Sequence, residues 1–323
     1  MPLEPIAPAL DVVPPEVVLD DITTILAESA VLHRLRLVIP AGQLTVLMGP
    51  SGAGKTTLIK HIVGLLEPSG GTVLIDGVDI WDLKKEGMRD VRKGIGAMLG
   101  GHNLYDTSIF SSHSALDNLI VSLAGQGVPE GQRRDRAEAR LREVKLDDVA
   151  DRKPDALPAH ARKRLALARA LVTDSPLTVL DEIDVGLDHA HSEAMIEGLR
   201  RLRERTACTL LVTTHNLDLA REIADNLAIL VNGRIVAFGP PEEVLDGVET
   251  TDDFDRKFEF SDYQGPPTLA DAEADAERRP RTPERRLHTV SFDPQLVIIA
   301  VVAVVLITAV ILGLQLFGPG RLP

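Results

Sequence analysis

The stretch Leu44-Thr45-Val46-Leu47-Met48-Gly49-Pro50-Ser51-Gly52-Ala53-Gly54-Lys55-Thr56-Thr57 decides the fold of this chain. Its first five residues form an apolar run typical of a buried strand, and the residues from Leu58 to Val63 have the composition of a helix. Glycines between the two let the backbone turn tightly enough to aim successive N–H groups at one anion. The stretch therefore predicts a strand, a phosphate-binding loop and a helix whose N-terminus faces the phosphate.

All the fixed positions of the pattern G-x-x-x-x-G-K-T are filled, which identifies a nucleotide-binding P-loop. Its residues are Gly49, Pro50, Ser51, Gly52, Ala53, Gly54, Lys55, Thr56 and Thr57. Lys55 is expected to reach the β- and γ-phosphates, and the Thr56 hydroxyl to bind Mg²⁺. The alternative, a glycine turn with an incidental lysine, requires a chance match at every fixed position. We interpret the ligand as a nucleoside triphosphate, ATP.

A second apolar run, Leu177-Thr178-Val179-Leu180, ends in Asp181-Glu182. In open α/β sheets, ligands bind at the edge formed by the carboxyl ends of the strands. Asp181 is expected to hold Mg²⁺ through water, and Glu182 to polarise the attacking water. Surface acids end many strands, so this pattern has weight only because a P-loop accompanies it.

Composition limits the classes of partner. The formal net charge is −13 in 323 residues, which disfavours nucleic acid as the main partner because a phosphate backbone would meet a repulsive field. The single cysteine, Cys208, excludes an internal disulfide and fits a reducing compartment.

Strands alternate with helices along the chain, which predicts an α/β fold with a parallel sheet. A helical insert is expected from Ser114 to Leu171, and an antiparallel β lobe from the runs near Val17 and Thr72. We expect a flexible arm (1–15), a nucleotide-binding domain (16–247), an acidic then basic linker (248–294), a transmembrane helix (295–317) and a short tail (318–323).

The segment from Leu296 to Phe317 has 22 residues without a charge. As a helix it would span about 33 Å, enough for a hydrocarbon core of about 30 Å. A buried core helix is the alternative, but one that is apolar on every face needs protein all round it. Arginines cluster between Arg278 and Arg286, before the span, which places the large N-terminal part on the cytoplasmic side of the cell membrane. The same arginines could contact anionic lipid headgroups.

Together these residues resemble the ATP-binding subunit of ABC transporters over roughly residues 17–245. Residues 49–57 correspond to the Walker A motif, and 177–182 to Walker B with its catalytic glutamate. Val185-Gly186-Leu187-Asp188 resembles the D-loop, and Thr213-Thr214-His215 resembles the switch-histidine segment, in which the imidazole contacts the γ-phosphate. The resemblance implies a P-loop ATPase of this type, a transmembrane permease and a second ATP-binding subunit as partners.

Within that superfamily the chain is most similar to the ATPases of the Mce/Mla lipid-transport systems. The supporting stretches are 162–171, 223–226, 235–239 and 256–258. This similarity implies transport of a lipid or another hydrophobic solute. A membrane helix on the ATPase itself departs from both families.

Three positions depart from the pattern of the superfamily. The LSGGQ-type signature is replaced by Leu157-Pro158-Ala159-His160-Ala161, Gly100 stands at the place of the Q-loop glutamine, and Leu26 lies near the place of the aromatic that stacks on adenine. The signature completes the partner's site, so a heterodimer with an intact paralogue would have one good site and one degenerate site.

Three functions remain open: a transporter ATPase, a regulatory subunit that binds ATP but scarcely hydrolyses it, and a soluble ATPase acting on ribosomes or DNA. Charge and the predicted anchor disfavour the third.

Overall fold

The computed structural model describes residues 13–100, 109–184, 196, 198–200, 203, 207–258 and 269. Its strands are β1 (Val17–Leu26), β2 (Ser29–Ile39), β3 (Leu44–Met48), β4 (Gly70–Ile75), β5 (Val78–Asp79), β6 (Ile95–Met98), β7 (Leu177–Leu180), β8 (Thr209–Thr213), β9 (Asn226–Val231) and β10 (Arg234–Gly239). Its helices are α1 (Lys55–Ile62), α2 (Lys85–Lys93), α3 (Ala115–Gly125), α4 (Glu130–Glu143), α5 (Ala159–Leu171), α6 (Leu217–Ile223), α7 (Pro241–Val244) and α8 (Thr251–Lys257).

A six-stranded sheet in the order β10-β9-β3-β8-β7-β6 carries the site. Its pairs are parallel except β9–β10, which form an antiparallel hairpin that turns at Asn232-Gly233. Successive residues of β3 face opposite sides of this sheet: Val46 belongs to one hydrophobic cluster and Leu47 to the other. Burial on both faces explains why the strands read as continuous apolar runs. Because β3, β7 and β8 are parallel neighbours, their carboxyl ends meet at one edge.

The expected antiparallel lobe is a second sheet in the order β2-β1-β4-β5. Strand β1 pairs with β2 from Val17 to Leu26, with irregularities in the register after Leu19. Val17 and Ile22 of this lobe share a hydrophobic cluster with Leu58 of α1. The lobe therefore supports the helix that follows the P-loop.

Helices α3, α4 and α5 form the expected helical insert around a separate hydrophobic cluster. Arg140 of α4 is buried and pairs with Glu143 and with Asp174 just beyond α5. Helix α5 begins at Ala159, directly after Pro158, and ends at Leu171, where we expected the helical insert to end. The stretch Val185-Gly186-Leu187-Asp188, which resembles the D-loop, lies outside the described residues.

Folded structure continues past residue 247, where we expected the linker to begin. Val248, Phe254 and Phe258 are buried in the main hydrophobic cluster, and α8 begins with a capping box between Thr250 and Asp253. The folded structure therefore includes residues up to Phe258, since two phenylalanines anchor an otherwise acidic segment. No helix among the described residues is long and apolar enough to span a bilayer, and the segment 296–317 lies outside them.

Candidate active site

The loop between β3 and α1 has a shape that only glycine permits at two positions. Gly49 has φ +151°, and a Cβ there would lie 2.0 Å from the carbonyl oxygen of Leu230 on β9. Gly54, the residue before α1, has φ +107°, and a Cβ there would lie 2.6 Å from Leu32 Cδ2. Within the described residues no side chain caps α1, so the N–H groups of its first turn remain available to an anion. This backbone cradle fits a phosphate group.

Lys55, the first residue of α1, is 6% exposed and is folded back under the loop. Its Nζ donates to the carbonyl oxygens of Gly49 at 2.8 Å and Pro50 at 3.0 Å. Burial lowers the pKa of Lys55, while the carboxylates of Asp181 and Glu182 oppose that shift. The loop therefore holds a cation directly beneath the anion cradle.

Thr56 and Asp181, which are far apart in sequence, meet at the edge of the sheet. The Thr56 hydroxyl donates to Asp181 Oδ2 at 2.8 Å, and Asp181 is 1% exposed. A hydroxyl and a carboxylate oxygen are hard ligands of the kind that Mg²⁺ takes. Mg²⁺ usually takes one or two carboxylates from the protein and completes its shell with water and phosphate oxygens, so one carboxylate and one hydroxyl fit its needs.

The turn after β7 is fixed to the end of β8 through Thr213. The Thr213 hydroxyl donates to Asp181 Oδ1 at 2.6 Å and accepts from the backbone N–H of Glu182 at 2.7 Å. Glu182 has φ +51°, a left-handed conformation that costs a residue with a Cβ about 1–2 kcal/mol. Strain in a residue of this kind is typical of functional sites.

His215 lies two residues beyond β8 and is exposed. Partial burial of the ring and the nearby Lys55 ammonium lower the pKa of His215, whereas the acidic side chains of the turn after β7 act in the opposite direction. The predicted histidine therefore shares one electrostatic environment with Lys55 and the two predicted acids.

Gly100, two residues after β6, borders the two carboxylates. A Cβ at this position would lie 3.0 Å from Glu182 Oε2 and 3.1 Å from Asp181 Oδ2. A side chain at position 100 would therefore start beside both acids, but glycine provides no ligand atom there. Pro158 is the N-cap residue of α5, and among the described residues no side chain accepts a hydrogen bond from the first turn of this helix.

Two contributors to the site were not predicted from sequence. Thr213 was assigned only to the histidine segment, and its link to Asp181 depends on the pairing of β7 with β8. Asp184 was given no role, although three acids within four residues after a buried strand are an unusual density that could have indicated it.

The chain has relatives among known proteins. A family model described as ABC transporter matches residues 32–184. The chain is 34% identical over 263 residues to the methionine import ATP-binding protein MetN of Corynebacterium jeikeium (strain K411), covering 80% of this chain and 70% of MetN. It is 33% identical over 230 residues to the probable ribonucleotide transport ATP-binding protein mkl of Mycobacterium tuberculosis (strain CDC 1551 / Oshkosh), covering 69% of this chain and 61% of mkl.

Among solved structures, the fold is similar to the dimeric ATP-binding cassette MJ0796 in a post-hydrolysis state bound to ADP and Pi. The TM-score is 0.64 at 27% sequence identity, and the match covers 70% of this chain and 98% of the cassette.

Proposed function

This chain belongs to the ATP-binding subunits of ABC transporters, and from that premise we propose that it powers the movement of a lipid or another hydrophobic solute, paired with an ATP-binding subunit unlike itself. Subunits of this family bind ATP with Mg²⁺ and couple ATP hydrolysis to transport. They dimerise and work with a transmembrane permease at the cytoplasmic side of the membrane. The solute, the unlike partner and the role of each site residue are our proposals.

The hydrogen bond between Thr56 and Asp181 carries the proposed site, because it joins the P-loop to the acidic end of β7. In our assignment residues 49–57 bind the nucleotide, and Thr56 and Asp181 hold Mg²⁺. When bound, Mg²⁺ neutralises phosphate charge and orients the phosphate oxygens. Lys55 releases the Gly49 and Pro50 carbonyls to pair with a phosphate, which offsets the desolvation of its ammonium.

Glu182 and His215 are the proposed catalytic residues. The backbone N–H of Glu182 is held by Thr213, and its carboxylate lies near that of Asp181, where it can orient a water molecule. His215 presents an N–H toward the terminal phosphate from the end of the adjoining strand. Phosphoryl transfer depends mainly on positioning and on charge stabilisation, and these side chains supply both.

The unlike partner is inferred from residues that this chain would lend to a second site. Pro158 has neither a hydroxyl nor a backbone N–H, and Ala159 lacks the conformational freedom of glycine. A homodimer would lack these γ-phosphate contacts in both sites. A heterodimer with an intact signature would restore them for the site built on Lys55 and Glu182.

ATP turnover tests the proposal. We expect the purified chain to hydrolyse ATP slowly. Mixing it with an ABC subunit that has an intact signature should raise the rate of hydrolysis at least about tenfold, because restored contacts that stabilise the transition state by about 1.4 kcal/mol give that factor. The Glu182→Gln variant is the control that keeps nucleotide binding. If neither preparation exceeds that control, the chain is a regulatory ATP-binding subunit, an alternative that Gly100 and Pro158 favour.

The solute is proposed from the similarity to the Mce/Mla ATPases, carried by 162–171, 223–226, 235–239 and 256–258. MetN and mkl are named for methionine and ribonucleotide transport. The ATPase rate of the complex between this chain and its permease, measured with each solute added in turn, distinguishes these solutes. Stimulation by phospholipid and not by methionine or ribonucleotides would support our choice, and the reverse would overturn it.

Membrane attachment through the segment 296–317 is also a proposal, as are the arm 1–15, the linker up to 294 and the tail 318–323. Its support is an uncharged run of 22 residues preceded by arginines. Truncation before Leu296 should release the chain, expressed without its permease, from the membrane fraction. A truncated chain that still partitions with lipid would contradict the anchor.

A further inference from the structure

Asp184 is a third carboxylate at the site, and the mechanism above leaves it unused. It ends the turn Asp181-Glu182-Ile183-Asp184 and is half-buried. Its Oδ1 is buried and has no hydrogen-bond partner in the part of the chain that the structure describes. A buried acceptor without a donor is unfavourable, so this oxygen is suited to a donor that arrives or turns during the reaction cycle.

The turn that carries Asp184 is held against the strand that leads to His215. The N–H of Ile183 donates to the carbonyl of Thr213 at 3.2 Å, and the N–H of Glu182 donates to the Thr213 hydroxyl at 2.7 Å. Asp184 follows Ile183 directly, and His215 lies two residues after Thr213. The two side chains therefore leave from adjacent segments whose backbones are fixed to each other.

His215 is the donor that fits Asp184 best. Among the acids that act on the imidazole, Asp184 has the largest effect, followed by Glu182 and Asp181. The other nearby cation, Lys55, already donates to two P-loop carbonyls. An imidazole has two nitrogens, and a hydrogen bond to one of them fixes what the other presents.

We propose that Asp184 is a positioning residue for His215: its Oδ1 accepts a hydrogen bond from one ring nitrogen and thereby directs the other N–H at the terminal phosphate of ATP. This inference rests on the proposed function, because it takes His215 as the group that contacts that phosphate. A carboxylate in this place also stabilises the imidazolium form, which donates from both nitrogens.

A double-mutant cycle in the full chain, assembled with its partner subunits, tests the inference. Asp184→Asn should lower kcat by about tenfold, because its neutral amide oxygen accepts a weaker hydrogen bond from the ring than a carboxylate does. It should change the KM for Mg²⁺-ATP by less than about twofold, because nucleotide contacts are kept. In a His215→Ala background the same change should have no further effect on kcat. Asp184→Glu, which keeps the charge, should recover part of the rate.

The pH dependence of kcat gives a readout that a purely structural role would not move. In the described part of the chain, the charged groups that act on His215 are Asp184, Glu182, Asp181 and Lys55. Removal of the Asp184 charge lowers the pKa of an imidazole that it stabilises, so the limb of the profile that depends on His215 should move to lower pH in Asp184→Asn. Thermal unfolding of each variant identifies any loss of fold.

The outcomes separate this inference from the proposed function. The inference is overturned if Asp184→Asn leaves kcat unchanged or raises it. It is also overturned if the change lowers kcat as much in the His215→Ala background as in the wild type. A higher kcat would identify Asp184 as a repulsive charge near the phosphates. If the assembled Lys55→Ala and Glu182→Gln variants hydrolyse ATP as fast as the assembled wild-type protein, the proposed function fails instead.

Discussion

The hydroxyl of Thr213 donates a hydrogen bond of 2.6 Å to Oδ1 of Asp181, from the end of one strand to the end of its neighbour. The same hydroxyl accepts the backbone N–H of Glu182. One threonine therefore sets the position of the proposed magnesium ligand and of the proposed catalytic glutamate.

Thr213→Val should reduce ATP turnover by about tenfold or more and lower the free energy of unfolding by about 1–3 kcal/mol, because it leaves a buried carboxylate oxygen and an N–H without their partner. Thr209→Val is the matched control. Thr209 lies at the opposite end of β8, is also buried, and bonds the carbonyl of Pro15 and the N–H of Gly42. Its replacement should cost similar stability in thermal unfolding, yet turnover per folded molecule should stay near wild type. Equal turnover losses in the two variants would contradict the role of Thr213.

Gly49→Ala should lower the free energy of unfolding by about 3 kcal/mol or more, since the new Cβ would meet the Leu230 carbonyl at 2.0 Å in a backbone conformation unfavourable to alanine. Gly125→Ala provides the comparison. Gly125 is the exposed last residue of α3, and a Cβ there meets nothing within 4 Å. That change should be neutral or stabilise by about 0.5 kcal/mol in chemical denaturation. Similar stabilities of the two variants would show that the loop tolerates a side chain at residue 49.

His61 predicts a dependence of stability on pH. The ring is fully buried in α1, where Nδ1 contacts the Leu66 carbonyl and Nε2 lies 2.7 Å from the Thr24 hydroxyl. Burial lowers the pKa of His61. An unfolded histidine has a pKa of about 6.5, so between that value and the lower folded value the unfolded chain binds more protons. Stability should therefore be fully present above about pH 7 and decline as the pH falls below 6.5.

Denaturant midpoints between pH 7.5 and 5.5 measure this effect. His61→Gln should be less stable than wild type at pH 7.5 but should lose less stability on acidification. A wild-type slope that persists unchanged in His61→Gln would assign the dependence to other groups.

Phe254 tests the extent of the folded domain. It is 6% exposed and packs against Phe258 with ring centroids 4.9 Å apart. Phe254→Ala should lower the free energy of unfolding by about 3 kcal/mol, whereas Phe238→Ala, at a residue that is 43% exposed, should cost less than about 1 kcal/mol. Equally small losses of unfolding free energy in the two variants would show that residues 248–258 belong to the linker.

Local features of the chain were predictable. The P-loop and the strand before Asp181-Glu182 are encoded by contiguous residues, so the sequence alone located the backbone cradle, the lysine and the acids. Continuous apolar runs predicted β3 and β7 because both faces of that sheet are buried.

Features that depend on strand register were not predictable. The bond from Thr213 to Asp181 requires that β7 pair with β8, and no spacing in the sequence encodes that. Residues 248–258 were assigned to a linker because most of their side chains are polar or acidic. Two phenylalanines among them are nevertheless buried in the main hydrophobic cluster and attach the segment to the domain.

Titration of Mg²⁺-ATP onto the full chain is the most direct measurement of whether the loop at residues 49–57 forms the nucleotide site. Lys55→Ala should bind Mg²⁺-ATP at least about tenfold more weakly than wild type while it keeps the fold, because a charge-assisted phosphate contact is worth about 1.5–3 kcal/mol. Lys60→Ala, at an exposed lysine of the same helix, should bind as wild type does. Unaltered affinity in Lys55→Ala, with Lys60→Ala alike, would contradict the assignment of this loop.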